Sequence, residues 1–265
     1  MKVKLPQAPL PKRLNPRPRP PTEKKPGVLD HAKEGGISAV DWVDERTSLS
    51  GGLRWGMFRH VPRGTKWFYS LGSETMFAFL SQATTGVFLA MYYEPSPTRA
   101  WESIAYINNE AFLGEFVHGM HKWGSSIMVI LIFLHMARTF FFGAYKYPRE
   151  LNWVIGVVLL ILTMTMAFSG YLLPFDQRSY WATIVGVNIN GTGPLVGPYL
   201  SDFLRAGPDF GPTTLSRFYA IHMLLVPGAI AALIGAHLYL VAKLGTTAPP
   251  WLKPKANGDL RKTGV

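Results

Sequence analysis

The sequence predicts an all-α membrane protein in which four transmembrane helices form a bundle. Three observations carry that reading. The 265-residue chain is 48% hydrophobic and 13% aromatic but only 16% charged, where soluble domains hold about 25% charged residues. Four apolar stretches, at 67–93, 116–144, 152–173 and 219–243, reach the roughly 20 residues that a helix needs to cross a hydrocarbon core. Basic residues, finally, gather in alternate connections, as membrane topology requires.

Residues 1–37 read as a basic, proline-rich arm whose first 26 residues hold eight prolines and eight Lys or Arg. Such a composition stays extended and solvated, or docks onto a partner or an anionic lipid surface. Residues 38–66 mix apolar and charged side chains, as in a short amphipathic helix lying on a membrane. The spanning domain is expected over 67–250, with a cytoplasmic tail over 251–265. Its first stretch begins past residue 60 and does not resemble a cleavable signal peptide. The second carries His121, Lys122, His135 and Arg138 and is too polar to face lipid all round. The fourth carries Pro227 in mid-span, which membrane helices tolerate where neighbours satisfy the freed carbonyl.

Of the 27 Lys and Arg residues, 22 lie in 1–66, 138–150 and 243–265. The 94–115 connection sets Arg99 alone against Glu94, Glu102, Glu110 and Glu115. The positive-inside rule then places both termini in the cytoplasm, making this a multi-pass protein of the cytoplasmic membrane. The +11 net charge is thus mostly topology, and nucleic acid is not an expected partner. There is no cysteine. Disulfide scaffolds, thiolate metal sites, iron–sulfur clusters and covalently attached haem are all excluded.

Four of the seven histidines form two matched pairs, His121 with His135 on the second span and His222 with His237 on the fourth. An ionisable residue inside a span is a functional candidate by default, although a single histidine serves equally well as a hydrogen-bonding link between helices. Fourteen residues bring the helix back to within about 40° after a rise of about 21 Å, and fifteen to within about 60°. Each span therefore offers two imidazoles on roughly one face, one near each side of the membrane. Facing helices set His121 opposite His222 and His135 opposite His237. Zinc favours four ligands, and the cysteines and carboxylates to complete such sites are missing. Haem iron takes two axial imidazoles. Two such centres with no open position carry electrons across the bilayer, giving a dihaem four-helix bundle. A transporter with histidine proton relays is the alternative from another class. The other two spans repeat the spacing with glycines, Gly72 and Gly86, then Gly156 and Gly170. These either let a flat ring approach the backbone or serve ordinary helix packing.

The segments HKWGSSIMVILIFLH (121–135), PRELNWVIGVVL (148–159), SGYLLPFDQRSYWA (169–182) and TLSRFYAIHMLLVP (214–227) resemble cytochrome b. The fifteen-residue gap between His222 and His237 and the four spans resemble its short, b6-like form. That resemblance implies a subunit of a quinol:cytochrome c or plastocyanin oxidoreductase working by a Q cycle. It implies two non-covalent b-type haems, an outer one on His121 and His222 and an inner one on His135 and His237. It further implies quinone (menaquinone or another), a three-helix partner like subunit IV, a Rieske iron–sulfur protein, a c-type cytochrome, and a dimeric complex in lipid. Gly72, Gly86, Gly156, Gly170, Gln82, His118 and Arg138 are the expected haem-contacting residues, with Arg138 on a propionate. A dihaem anchor of a hydrogenase or formate dehydrogenase is the runner-up, which the GYLLPFDQ segment speaks against.

The departures are informative. Ser70 stands where b6 relatives place the cysteine of a third haem, so a covalent third haem is excluded. A non-covalent one, or an inner quinone, would lie near Ser70 and Lys243. His118 replaces an arginine three residues before His121. The Pro-Glu-Trp-Tyr sequence of the outer quinol site is absent, as expected if the subunit IV-like partner supplies it. The 183–216 connection is expected to form short helices at the outer face.

Overall fold

The computed structural model describes residues 64–251 together with 39, 41–47 and 51. The arm expected over 1–37 and most of the tail expected over 251–265 lie outside the described residues. Residues 41–47 are helical and belong to a unit of their own, Met1–Arg59; everything below concerns the second unit, His60–Val265.

Among the described residues the chain is helical with no strand. Eight α-helices run in order: α1 Leu71–Ala90, α2 Ala100–Asn109, α3 Gly114–Phe141, α4 Glu150–Leu172, α5 Gln177–Gly191, α6 Gly197–Arg205, α7 Pro212–Ala220 and α8 Val226–Leu244. A single π-helical turn, Ile221–Leu225, joins α7 to α8, so that one continuous helix runs from Pro212 to Leu244.

Three helices are long and apolar enough to span a membrane: α3, α4 and the Pro212–Leu244 helix. The expected first span is α1. Its 20 residues give about 30 Å, enough to cross the core. Ser73, Glu74, Thr75, Ser81, Gln82, Thr84 and Thr85 dilute its apolar character. Hydroxyls at Thr75, Thr84 and Thr85 bond the carbonyls of Leu71, Leu80 and Ser81 on their own helix. That internal pairing satisfies them without water. Phe77, Leu80 and Val87 on α1, and Ile127, Ile130 and Phe133 on α3, are exposed, as lipid-facing side chains are.

The bundle is built from two helix pairs. The most extensive packing is α1 along α3 and α4 along α8; α3 and α4 approach each other less. Ala78 on α1 with Met128 and Ile132 on α3 form one core, and Ile221, Val226 and Ile230 another against Leu159, Leu162 and Met166 of α4. Arg149, just before α4, donates to the carbonyls of Leu244 and Gly245 at 3.0 and 3.3 Å and so caps the end of α8.

At the opposite end the expected short helices are present as α5 and α6. Asp176 caps α5 by accepting from the Ser179 backbone N–H at 2.7 Å. Ala100, Leu172, Val187, Leu215 and Phe218 are buried together and clamp α2, α4, α5 and α7. Tyr93 packs on this cluster and donates to the Leu173 carbonyl, and burial pushes its phenol far above the ordinary tyrosine range.

Candidate functional site

All four paired histidines point into the space between the two helix pairs. His121 faces His222 with ring centroids 6.4 Å apart, and His135 faces His237 at 6.5 Å. The rings of each couple are nearly perpendicular, at 77° and 75°. An imidazole centroid-to-nitrogen distance of roughly 1.1 Å and a metal–nitrogen bond of about 2 Å, taken on both sides, require about 6.2 Å. Both couples have the spacing of two ligands on opposite sides of one metal atom. Among the described residues no three His, Cys, Asp or Glu side chains converge as a metal site. The donor set thus suits a metal that brings its equatorial ligands with it, as haem iron does.

The π-helical turn explains the unequal spacing. His222 lies inside it, and the Val226 N–H reaches back five residues to the Ile221 carbonyl. A π-turn takes up one residue more than an α-turn. It therefore absorbs the additional residue of the fifteen-residue gap and brings His222 and His237 onto one face. Pro227 follows directly, where its missing N–H disrupts the ladder in any case.

Each paired glycine lies against one histidine. A Cβ on Gly86 would stand 3.2 Å from His121 Cε1, and on Gly72 3.2 Å from His135 Cε1. On Gly170 it would stand 2.5 Å from His222 Cε1, and on Gly156 3.8 Å from His237 Cε1. What these glycines clear in the structure is the edge of an imidazole, which brings that ring close to the neighbouring backbone.

The His121 and His222 imidazoles are anchored through Nδ1. His121 Nδ1 lies 2.9 Å from Thr85 Oγ1. His222 Nδ1 lies 3.0 Å from the Met166 carbonyl and 3.2 Å from Ser169 Oγ. Thr85 and Ser169 were not among the residues expected at the site. The signal for them is present in the sequence, since each directly precedes its glycine, Gly86 or Gly170.

The remaining candidates are placed as follows. The Arg138 guanidinium lies 3.9 Å over the Tyr69 ring and 5.5 Å from that of Phe142, with its Nε buried and unpartnered among the described residues. His118 Nδ1 bonds Asn108 Oδ1 at 2.7 Å, tying α3 to α2. Gln82 reaches the Met120 carbonyl at 3.5 Å and packs against Gly124. Ser70 bonds the Trp67 carbonyl and the Glu74 carboxylate, while Lys243 lies 5.8 Å over Tyr239. Each of these last two is engaged locally.

The family model described as cytochrome b/b6/petB matches residues 58–245. The chain belongs to the cytochrome b/b6 family. A menaquinol:cytochrome c reductase cytochrome b subunit from Geobacillus thermodenitrificans is 40% identical over 217 residues, covering 79% of this chain and 97% of the relative. A cytochrome b6 from Heliobacterium modesticaldum is 40% identical over 212 residues, covering 79% of this chain and all of the relative. Among solved structures, a chain of a hyperthermophilic respiratory Complex III is similar with a TM-score of 0.73 and 32% identity. The match covers 83% of this chain and 59% of that one. Membership of the cytochrome b/b6 family implies b-type haem and sets aside the hydrogenase and formate dehydrogenase anchors. It also removes the proton-relay transporter from consideration.

Proposed function

We propose that this chain is the dihaem subunit of a quinol-oxidising membrane complex, carrying electrons between an outer and an inner quinone site in a Q cycle. The observation that supports this best is the pair of histidine couples, each spaced to hold one metal atom between its two rings. His121 and His222 would hold the outer haem, and His135 and His237 the inner one. A bound b-type haem supplies reversible one-electron chemistry. The protein supplies two ligands, apolar walls and glycines that admit the rings. Arg138, its Nε unpartnered, would hold an anionic propionate at the inner end.

In this reading quinol is oxidised near the outer face, in a site completed by a subunit IV-like partner. One electron leaves through a Rieske protein to a c-type cytochrome. The other would cross toward the cytoplasmic face to reduce quinone there, with His121 and His222 holding one haem and His135 and His237 the second, which would supply the one-electron chemistry. The names of the relatives make menaquinol the first quinol to test. The charge pattern supports cytoplasmic termini and a cytoplasmic-membrane location.

Charge crosses the bilayer in each turnover, and moving one charge through 100 mV costs about 2.3 kcal/mol. The purified complex in sealed vesicles is accordingly expected to reduce external cytochrome c with menaquinol several-fold faster when an ionophore collapses the membrane potential. A rate indifferent to the ionophore, in vesicles shown to be tight, would contradict transmembrane electron transfer.

A further inference from the structure

We propose that Thr85 and Ser169 are positioning residues that fix the ligand tautomer of His121 and His222 and lower the reduction potential of the centre those two histidines would hold. The proposal rests on the two-haem reading above.

The Thr85 hydroxyl has one proton. The Ser81 carbonyl, 2.7 Å away, takes it, with the Gln82 carbonyl at 3.2 Å. Toward His121 Nδ1 the hydroxyl oxygen therefore accepts, and Nδ1 carries the hydrogen. His222 Nδ1 faces the Met166 carbonyl, which only accepts. Ser169 Oγ donates its own proton to that same carbonyl at 3.1 Å and receives from Nδ1. Both outer imidazoles are thus held with Nε2 unprotonated and available as a ligand. Thr85 and Ser169 are themselves buried, 6% and 2% exposed, so water does not compete for these bonds.

The inner couple differs. His135 Nδ1 is buried without a hydrogen-bond partner among the described residues, and His237 has the Asn152 backbone beside it but no bonded hydroxyl. The sequence carries the same contrast. Thr85 and Ser169 precede the outer glycines, whereas Leu71 and Ile155 precede the inner ones.

An imidazole that donates from Nδ1 is a stronger base at Nε2. A stronger ligand favours the oxidised, more positive metal and lowers its potential.

The test is an anaerobic potentiometric titration of the whole purified complex, with haem counted in each sample. Thr85→Val keeps the shape and removes the acceptor. It is expected to shift the outer reduction equilibrium about tenfold, about 59 mV upward for one electron, with the inner midpoint unmoved. Thr85→Ser should restore the wild-type value. Ser169→Ala should shift the outer midpoint less, because His222 keeps the Met166 carbonyl; it carries the same test should Thr85→Val lose its outer haem. An unmoved outer midpoint at full haem content, or both midpoints moving together, would overturn the proposal. Fewer than two haems in the wild-type complex would instead overturn the two-haem reading beneath it.

Discussion

Replacing His237 by alanine is expected to halve the haem content per copy of this chain and to leave the outer centre in place. His237 stands 6.5 Å, centroid to centroid, from His135 and is the second ring of the inner couple. Its loss would leave His135 as the one histidine at the inner site, and no other His, Cys, Asp or Glu among the described residues converges with His135 to replace it. The outer couple lies about 21 Å away along α3 and shares no residue with the inner one. Pyridine haemochrome analysis gives the count, and a redox titration shows which midpoint has vanished. Retention of both haems would contradict the assignment of the inner ligands.

Gly170→Ala is expected to lower occupancy of the outer haem at least tenfold. A methyl there would lie 2.5 Å from His222 Cε1 and 3.0 Å from Nδ1. The ring has little room to yield, because Nδ1 is tied to the Met166 carbonyl one turn back on the same helix as Gly170. The other three glycines grade the prediction. Gly86→Ala and Gly72→Ala, at 3.2 Å, require shifts of a few tenths of an ångström and should cause partial loss. Gly156→Ala, at 3.8 Å, makes ordinary contact and should load as wild type. Equal haem content across the four variants would mean that these glycines serve helix packing alone.

Much of this site was legible because helical periodicity converts spacing into direction. Fourteen residues between His121 and His135 fix both rings on one face of α3, and the structure pairs them with His222 and His237 as the spacing required. Apolar length delimited the second and third spans to within a few residues, while the helix expected as the first span falls short of the apolar character of the other three, and the fourth begins at Pro212 and not near residue 219. That difference arises because α7 continues into the membrane helix through the π-turn. A turn closed five residues back leaves no periodic signature in so short a stretch. The hydroxyl partners of the outer histidines escaped notice for another reason. Thr85 and Ser169 reach rings on neighbouring helices, so their role depends on the axial register between helices, which spacing within one helix does not encode. Arg138 was expected at a propionate; its stacking on Tyr69 depended on how the chain enters α1.

The central claim is that this chain holds two b haems stacked across the membrane. The most direct measurement is a dithionite-reduced minus oxidised spectrum of the purified complex, with pyridine haemochrome quantified per copy of this chain. The account predicts two b-type haems, resolved as two midpoints on titration. One haem or none per chain would contradict it.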